Sequence, residues 1–300
     1  MAPVRWVNAF TKHLAQKGHS IKLYDINTAK SRGLAERLNC TCTDNLVDAT
    51  RDVELVLLCT PIKGTPTVIQ GISSLLEPGT VVCEIASLKS GTVPSLRRLD
   101  CLTLSLHPMF GPDVESFHGQ TVVLVHVKDG AREAEAAKRL FPETKLVQVS
   151  AESHDRVMAY VLSLPYFMNL AFAQALNPGE RDLMRELAGT TFKAQSIVTE
   201  CVVGESSELV ESLINGNVYS WDVINQFIDE ARYLRRLFKR GGMVDGYCRG
   251  LKEHVEDGRL IEARMMRSQI INLEESNGPF ADTRVLRHSC QGETVKSIKE

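Results

Sequence analysis

The chain has 300 residues, 43% hydrophobic and 24% charged, with a formal net charge of -2 at pH 7. That is enough chain for two domains with separate cores, and a balanced charge without a basic run argues against nucleic acid or an anionic membrane as partner. No stretch approaches the ~20 apolar residues of a membrane span, and the N-terminus has no signal-peptide core. The eight cysteines include no C-x-x-C pair; they read as reduced, structural thiols of a cytoplasmic protein, and no metal site is expected.

Arg5 to Gln16 has helical spacing, with Val7, Phe10 and Leu14 on one face and Gly18 as its stop. Ser20 to Asp25 reads as a strand ending in an acid, and Thr28 to Leu38 as a second helix. An acid at that position is where a dinucleotide-binding fold holds ribose hydroxyls, although such a residue can equally cap the next helix. Such a fold opens with a strand and a glycine-rich turn, yet only Met1 to Val4 precede the first helix and no G-x-G-x-x-G is present there. That strand normally lies between the second and the fourth. Strands lie ~4.8 Å apart, so its loss should leave a gap of about twice that, with unpaired backbone on both sides.

Glu54 to Thr60 is a continuous apolar strand, and Thr65-Pro66 should open the next helix as N-cap and first helical residue. Pro78-Gly79 ends that helix, Thr80 to Ile85 is another buried strand, and Ala86 to Ser90 a polar turn. Cys101 to Leu106 is a strand that runs into His107-Pro108-Met109-Phe110-Gly111-Pro112, a rigid turn at the end of the sheet where ligands bind. Thr121 to Val127 and Lys145 to Val149 are strands around a helix over Arg132 to Leu140. This alternation predicts an α/β fold with a doubly wound, mostly parallel sheet over residues 1–149 that lacks its first strand.

After Ser150 the pattern is all helical. Helices are expected over Ala151 to about Ala175, Pro178 to Leu187, Phe192 to Val203, Ser206 to Ile214, Val218 to Lys239 and Tyr247 to Leu273. Residues 150–273 thus form a second, helical domain, and a tail from Glu274 should be loosely held.

A dinucleotide half followed by a helical half suggests a small-molecule dehydrogenase with a cleft between cofactor platform and substrate lid. Glu84 to Lys89, His107 to Pro112 with Gly119-Gln120, Ser153 to Tyr160, and Arg5-Trp6 together resemble the prephenate dehydrogenase family, in order and spacing, over about residues 4 to 240. The resemblance implies that His107 accepts the proton of the substrate's ring hydroxyl while hydride leaves the same carbon for NAD+. It implies too that Ser87 orients this histidine, and that loss of CO2 makes the ring aromatic. Asp25, Thr60 and Pro61 are the expected cofactor contacts. Tyr166 stands where the family often presents a histidine to the substrate, and no arginine occurs in Thr199 to Gly204, where one would hold a carboxylate. Lys89, Arg156 and Lys193 are possible substitutes, although each reads first as a solvated surface charge. His154 and Asp155 read mainly as a structural hinge pair.

The implied protein is an NAD-dependent dehydrogenase for prephenate or arogenate, a homodimer through the helices between Val218 and Leu273. Two alternatives stay open: a catalytically silent dimeric scaffold or metabolite-binding protein, and a dehydrogenase for another small carboxylated alcohol.

Overall fold

The structure, a computed structural model, describes residues 2–241, 244–253 and 255–276. In chain order come α1 (Ala2–Gln16), β1 (Lys22–Leu23), α2 (Thr28–Leu38), β2 (Thr41–Cys42), α3 (Leu46–Thr50), β3 (Leu55–Leu58) and α4 (Thr65–Ile72). Then follow β4 (Val81–Glu84), α5 (Val93–Leu96), β5 (Leu102–Pro108), β6 (Thr121–Val125), α6 (Gly130–Leu140) and β7 (Lys145–Val149). The rest is helical: α7 (Ala151–Met158), α8 (Leu164–Ala175), α9 (Arg181–Glu186), α10 (Thr190–Val203), α11 (Ser207–Asn215), α12 (Ser220–Arg240), α13 (Val244–Lys252) and α14 (Asp257–Ser276). Sequence periodicity missed β2, α3 and α5, which are too short to display a period. Of the tail, Glu274 to Ser276 complete α14, and the remainder lies outside the described residues.

Five strands form one sheet in the order β3-β4-β5-β6-β7, parallel except where β6 runs against β5. Val82, Cys83, Leu104, Leu124 and Val125 are fully buried in it, which is why these strands read as continuous apolar runs rather than alternating ones. β1 and β2 make a separate parallel pair. Among the described residues no strand joins β1 to β3, so the sheet is interrupted at the place expected from the sequence. α1 packs on both pieces: Phe10 and Leu14 join the core of Leu104, Leu106 and Leu124, while Val7 lies against Leu23 and Leu34.

α4 begins one residue earlier than expected. Gly64 is its N-cap, and Thr65 is buried in the first turn, its hydroxyl 2.8 Å from that of Thr60 and 3.0 Å from the Pro61 carbonyl oxygen. These bonds hold the loop after β3 against the helix start. β5 also runs further than expected, carrying His107 and Pro108 within the strand opposite Val123 and Val122.

Residues 151–175 are one continuous helix whose middle, Ala159–Ser163, is wound as a π-helix. Pro165 follows directly and cannot donate to the carbonyl one turn back, a cause of such irregular turns. By length and composition this helix could cross a membrane, contrary to the sequence reading. Its buried His154, Asp155, Ser163 and Asn169 instead bond within the chain, as in the core helix of a globular unit.

The described residues fall into two compact units. One comprises the described residues up to 171 together with 202–232, the other 172–201 together with the described residues from 233 onward. Helical residues 151–171 and 202–232 therefore belong with the sheet.

Leu124→Ala should lower stability by about 2–5 kcal/mol, because Leu124 is fully enclosed in the sheet core. Ile26→Ala, at a side chain 91% exposed, should change it by less than about 0.5 kcal/mol. Urea titrations followed by circular dichroism measure both.

Candidate active site

The carboxyl ends of β4 and β5 are joined by a buried polar network. Glu84 ends β4 and Lys89 lies in the loop after it, both with fully buried side chains 2.8 Å apart. The Glu84 carboxylate also accepts from the Ala86 amide (2.7 Å), the Thr92 hydroxyl (3.3 Å) and the Ser105 hydroxyl on β5. Lys89 Nζ donates to the Leu106 carbonyl at 2.6 Å. A buried ion pair persists only when its remaining donors and acceptors are met, and here they are met by the two strands and the loop between them. The network therefore sets the position of Leu106, and so of His107 beside it.

A second set of bonds reaches His107 from α7. Ser150 caps this helix, its side chain accepting from the Ser153 amide at 3.1 Å, and the inner face carries His154, Asp155 and Met158. His107 Nδ1 lies 2.9 Å from His154 Nε2, and His154 Nδ1 lies 2.8 Å from Asp155 Oδ1. Asp155 also accepts the backbone amides of Lys89 (2.9 Å) and Ser90 (2.8 Å). The Asn217 side-chain amide donates to the Asp155 carbonyl at 2.7 Å. Burial, then the Lys89 ammonium, then His154 hold His107 well below the usual histidine value near 6.5. Burial lowers His154 as well, against the opposing pull of Asp155. Burial would raise Asp155, but the bonds from His154 and from the Lys89 and Ser90 amides outweigh it and keep the carboxyl low. The arrangement is two neutral imidazoles resting on a carboxylate.

His107 opens onto a cavity of about 410 Å³. Thr60, Pro61, Ser87 and Tyr166 line it too, so the structure gathers five of the predicted residues. The other three fall elsewhere. Asp25 is not on this cavity; its carboxylate accepts the Asn27 amide at 2.7 Å and shapes the turn into α2. Lys89 is corrected from substrate contact or surface charge to a buried structural cation, since both its side chain and its charge are spent on Glu84 and Leu106. Arg156 is exposed and off the cavity, because the inward face of α7 is occupied by its neighbours His154 and Asp155. The expected orienting bond from Ser87 is not among the hydrogen bonds of the described residues; His154 holds the Nδ1 of His107 instead.

Sequence reasoning missed His154 as the partner of His107. The available signal was a polar His-Asp pair on the apolar face of an amphipathic helix. It also missed Arg5, which is the one Lys or Arg on the cavity wall among the described residues and which pairs with Asp113. Glu205 and Glu208 line the same cavity. Burial pushes the thiol of Cys59, another wall residue, up to about 12, so it contributes a small neutral surface and no thiolate.

Residues 10–150 match the nucleotide-binding domain of prephenate dehydrogenase, and residues 150–253 match its dimerization domain. A probable arogenate/prephenate dehydrogenase of Methanocaldococcus jannaschii is 21% identical over 256 residues, 81% of this chain and 56% of the relative. Cyclohexadienyl dehydrogenase of Zymomonas mobilis is 27% identical over 161 residues, 49% of this chain and 55% of the relative. The chain thus spans about half the length of the curated relatives it matches. Among solved structures, prephenate dehydrogenase of Aquifex aeolicus in complex with hydroxyphenyl propionate and NAD+ superposes with a TM-score of 0.66 at 20% identity, covering 88% of this chain and 94% of that one. Arogenate dehydrogenase of Synechocystis gives 0.60 at 18% identity, covering 88% and 95%. At such identities the likeness shows a shared fold.

Lys89→Met keeps the length of the side chain and strands the Glu84 carboxylate in the interior. It should cost about 3–5 kcal/mol. Lys63→Met, which removes an exposed pair with Glu211, should cost no more than about 1 kcal/mol. Urea denaturation of both variants checks this; equal losses would mean that the buried pair does not anchor the loop.

Proposed function

The chain belongs to the prephenate dehydrogenase family, whose nucleotide-binding and dimerization domains follow one another along it, and from that premise we propose that it is an NAD-dependent dehydrogenase oxidising prephenate or arogenate. The observation that carries this reading is His107, a neutral imidazole anchored through Nδ1 and opening onto a cavity beyond the carboxyl ends of β3, β4 and β5. Ligands of open α/β sheets bind at that end.

The residues fit the nicotinamide end of a dinucleotide. Cys59 to Ile62 and Ile85 to Ser87 form a wall of small and apolar groups directly after β3 and β4. When bound, nicotinamide supplies the hydride acceptor. The chain's own part is to hold the substrate ring, shut water from it and take the hydroxyl proton at Nε2 of His107. A base that is uncharged at working pH and within hydrogen-bond reach of the hydroxyl suffices. Ser87 and Tyr166 are the cavity's hydroxyl-bearing partners for that oxygen or for the ring substituents. Arg5 is the cation available to a substrate carboxylate, and its partner Asp113 would have to yield to it. Asp25, past the end of β1, remains the candidate for a ribose hydroxyl, and its charge would disfavour a 2'-phosphate.

A second reading, a catalytically silent metabolite-binding relative, draws on the interruption between β1 and β3. The glycine-rich turn that cradles the pyrophosphate belongs at that interruption. Nucleotide binding separates the two readings. NADH titrated against the intact chain and against His107→Asn should bind both alike, while turnover of prephenate or arogenate falls about 10²–10⁴-fold in the variant. Because the folded value of His107 is depressed, the base stays neutral on acidification and the acid limb of kcat/KM should lie below pH 6.5. Absence of NADH binding would favour the silent relative.

Assembly is the other part of the proposal. Ile261, Met265, Met266 and Ile270 on α14 stand exposed, more apolar surface than a monomeric helix normally leaves in water. We expect a homodimer through the helices from Val218 onward. Sedimentation equilibrium should return twice the chain mass, and a compact monomer would refute it.

A further inference from the structure

We propose that His154 and Asp155 are positioning residues that fix the tautomer of His107, leaving the lone pair of its Nε2 toward the cavity. The inference rests on the reading of His107 as the base and adds to it the device that keeps the base in its accepting form.

Asp155 receives the amides of Lys89 and Ser90 on its carboxylate, and backbone N–H groups can only donate. A carboxylate met in this way is an acceptor, so the proton between it and His154 sits on His154 Nδ1. Neutral His154 then has only a lone pair on Nε2. His107 Nδ1, 2.9 Å away, must therefore donate, and its own Nε2 is left without a proton. That nitrogen has no hydrogen-bond partner among the described residues, and it is not one of the sealed polar atoms of the interior. In a histidine the state of one ring nitrogen follows from what the other is bonded to. Here the instruction passes through two rings from a carboxylate that two backbone amides hold in place.

The same path serves the step itself. When the substrate O–H bond breaks, its proton forms the N–H bond at His107 Nε2. The imidazolium so formed donates from Nδ1 to His154, and its charge faces the Asp155 carboxylate through that ring. Lys89 and its partner Glu84 lie beneath, while Arg5, Glu205 and Glu208 line the cavity. The Lys89 ammonium opposes a positive ring, so the carboxylate at the far end of the path offsets part of that opposition.

Asp155→Asn is the informative variant. To keep the Lys89 and Ser90 amides satisfied, the asparagine must turn its oxygen toward them and its NH2 toward His154 Nδ1. That reverses every bond in the path and puts a proton on His107 Nε2. His154→Gln is the control, because a glutamine carbonyl can still accept from His107 Nδ1. The readout is ¹⁵N NMR of the full-length chain labelled at its histidines, with kcat and KM measured alongside.

In the unsubstituted protein, at neutral pH, His107 Nε2 should resonate as an unprotonated ring nitrogen. Asp155→Asn should convert it to a protonated one and lower kcat about 10²–10⁴-fold with little change in KM. His154→Gln should retain the unprotonated nitrogen. An unprotonated His107 Nε2 in folded Asp155→Asn, or a protonated one in the unsubstituted protein or in His154→Gln, overturns the proposal. If Asp155→Asn does not fold, His154→Gln and the unsubstituted protein still decide it. Should His107→Asn turn over normally, the base itself is misassigned, a different failure from an intact base whose tautomer ignores Asp155.

Discussion

The ion pair between Lys89 and Glu84 is the constraint on which the site depends. Two charges removed from water would be costly on their own, and the cost is offset by further hydrogen bonds from both members of the pair to backbone and hydroxyl groups of β5 and the loop after β4. The outcome is positional rather than catalytic. Lys89 holds the carbonyl of Leu106, and the amides of Lys89 and Ser90 hold Asp155. One short loop thus fixes His107 through its own strand and, through α7, through its ring.

That double hold explains why helical residues belong in the same compact unit as the sheet. α7 brings His154 and Asp155 to the sheet end, and Asn217, just past α11, fastens the Asp155 carbonyl. Further along, Ser163 in the π-helical turn donates to the Leu213 carbonyl and receives the Ser220 hydroxyl. A π turn shifts the register of the residues after it relative to an α-helix, and Tyr166 on the cavity wall lies just beyond this one.

The cavity's charges bear on what it can hold. The region where the family resemblance calls for a carboxylate-binding arginine has none, and two glutamates, Glu205 and Glu208, line the same cavity as Arg5. A wall with one cation, already paired, and two acids receives a dianion less readily than a zwitterion or a monoanion.

Much of this was legible in the sequence. Apolar runs marked the five strands of the main sheet. Spacing placed Thr60, Pro61, Ser87 and His107 at strand ends, which share one edge of a parallel sheet. Lys89 and His154 were not legible, for a common reason. The local pattern says that a residue is charged or polar, but whether it meets water, an opposite charge or another ring depends on segments that folding brings beside it from far along the chain. Lys89 takes its partners from β4 and β5, and His154 meets a ring 47 positions earlier. Periodicity determined the elements and the edge where chemistry could occur; only tertiary packing decided which of the polar side chains there became a buried anchor, a partner to His107, or part of the open wall.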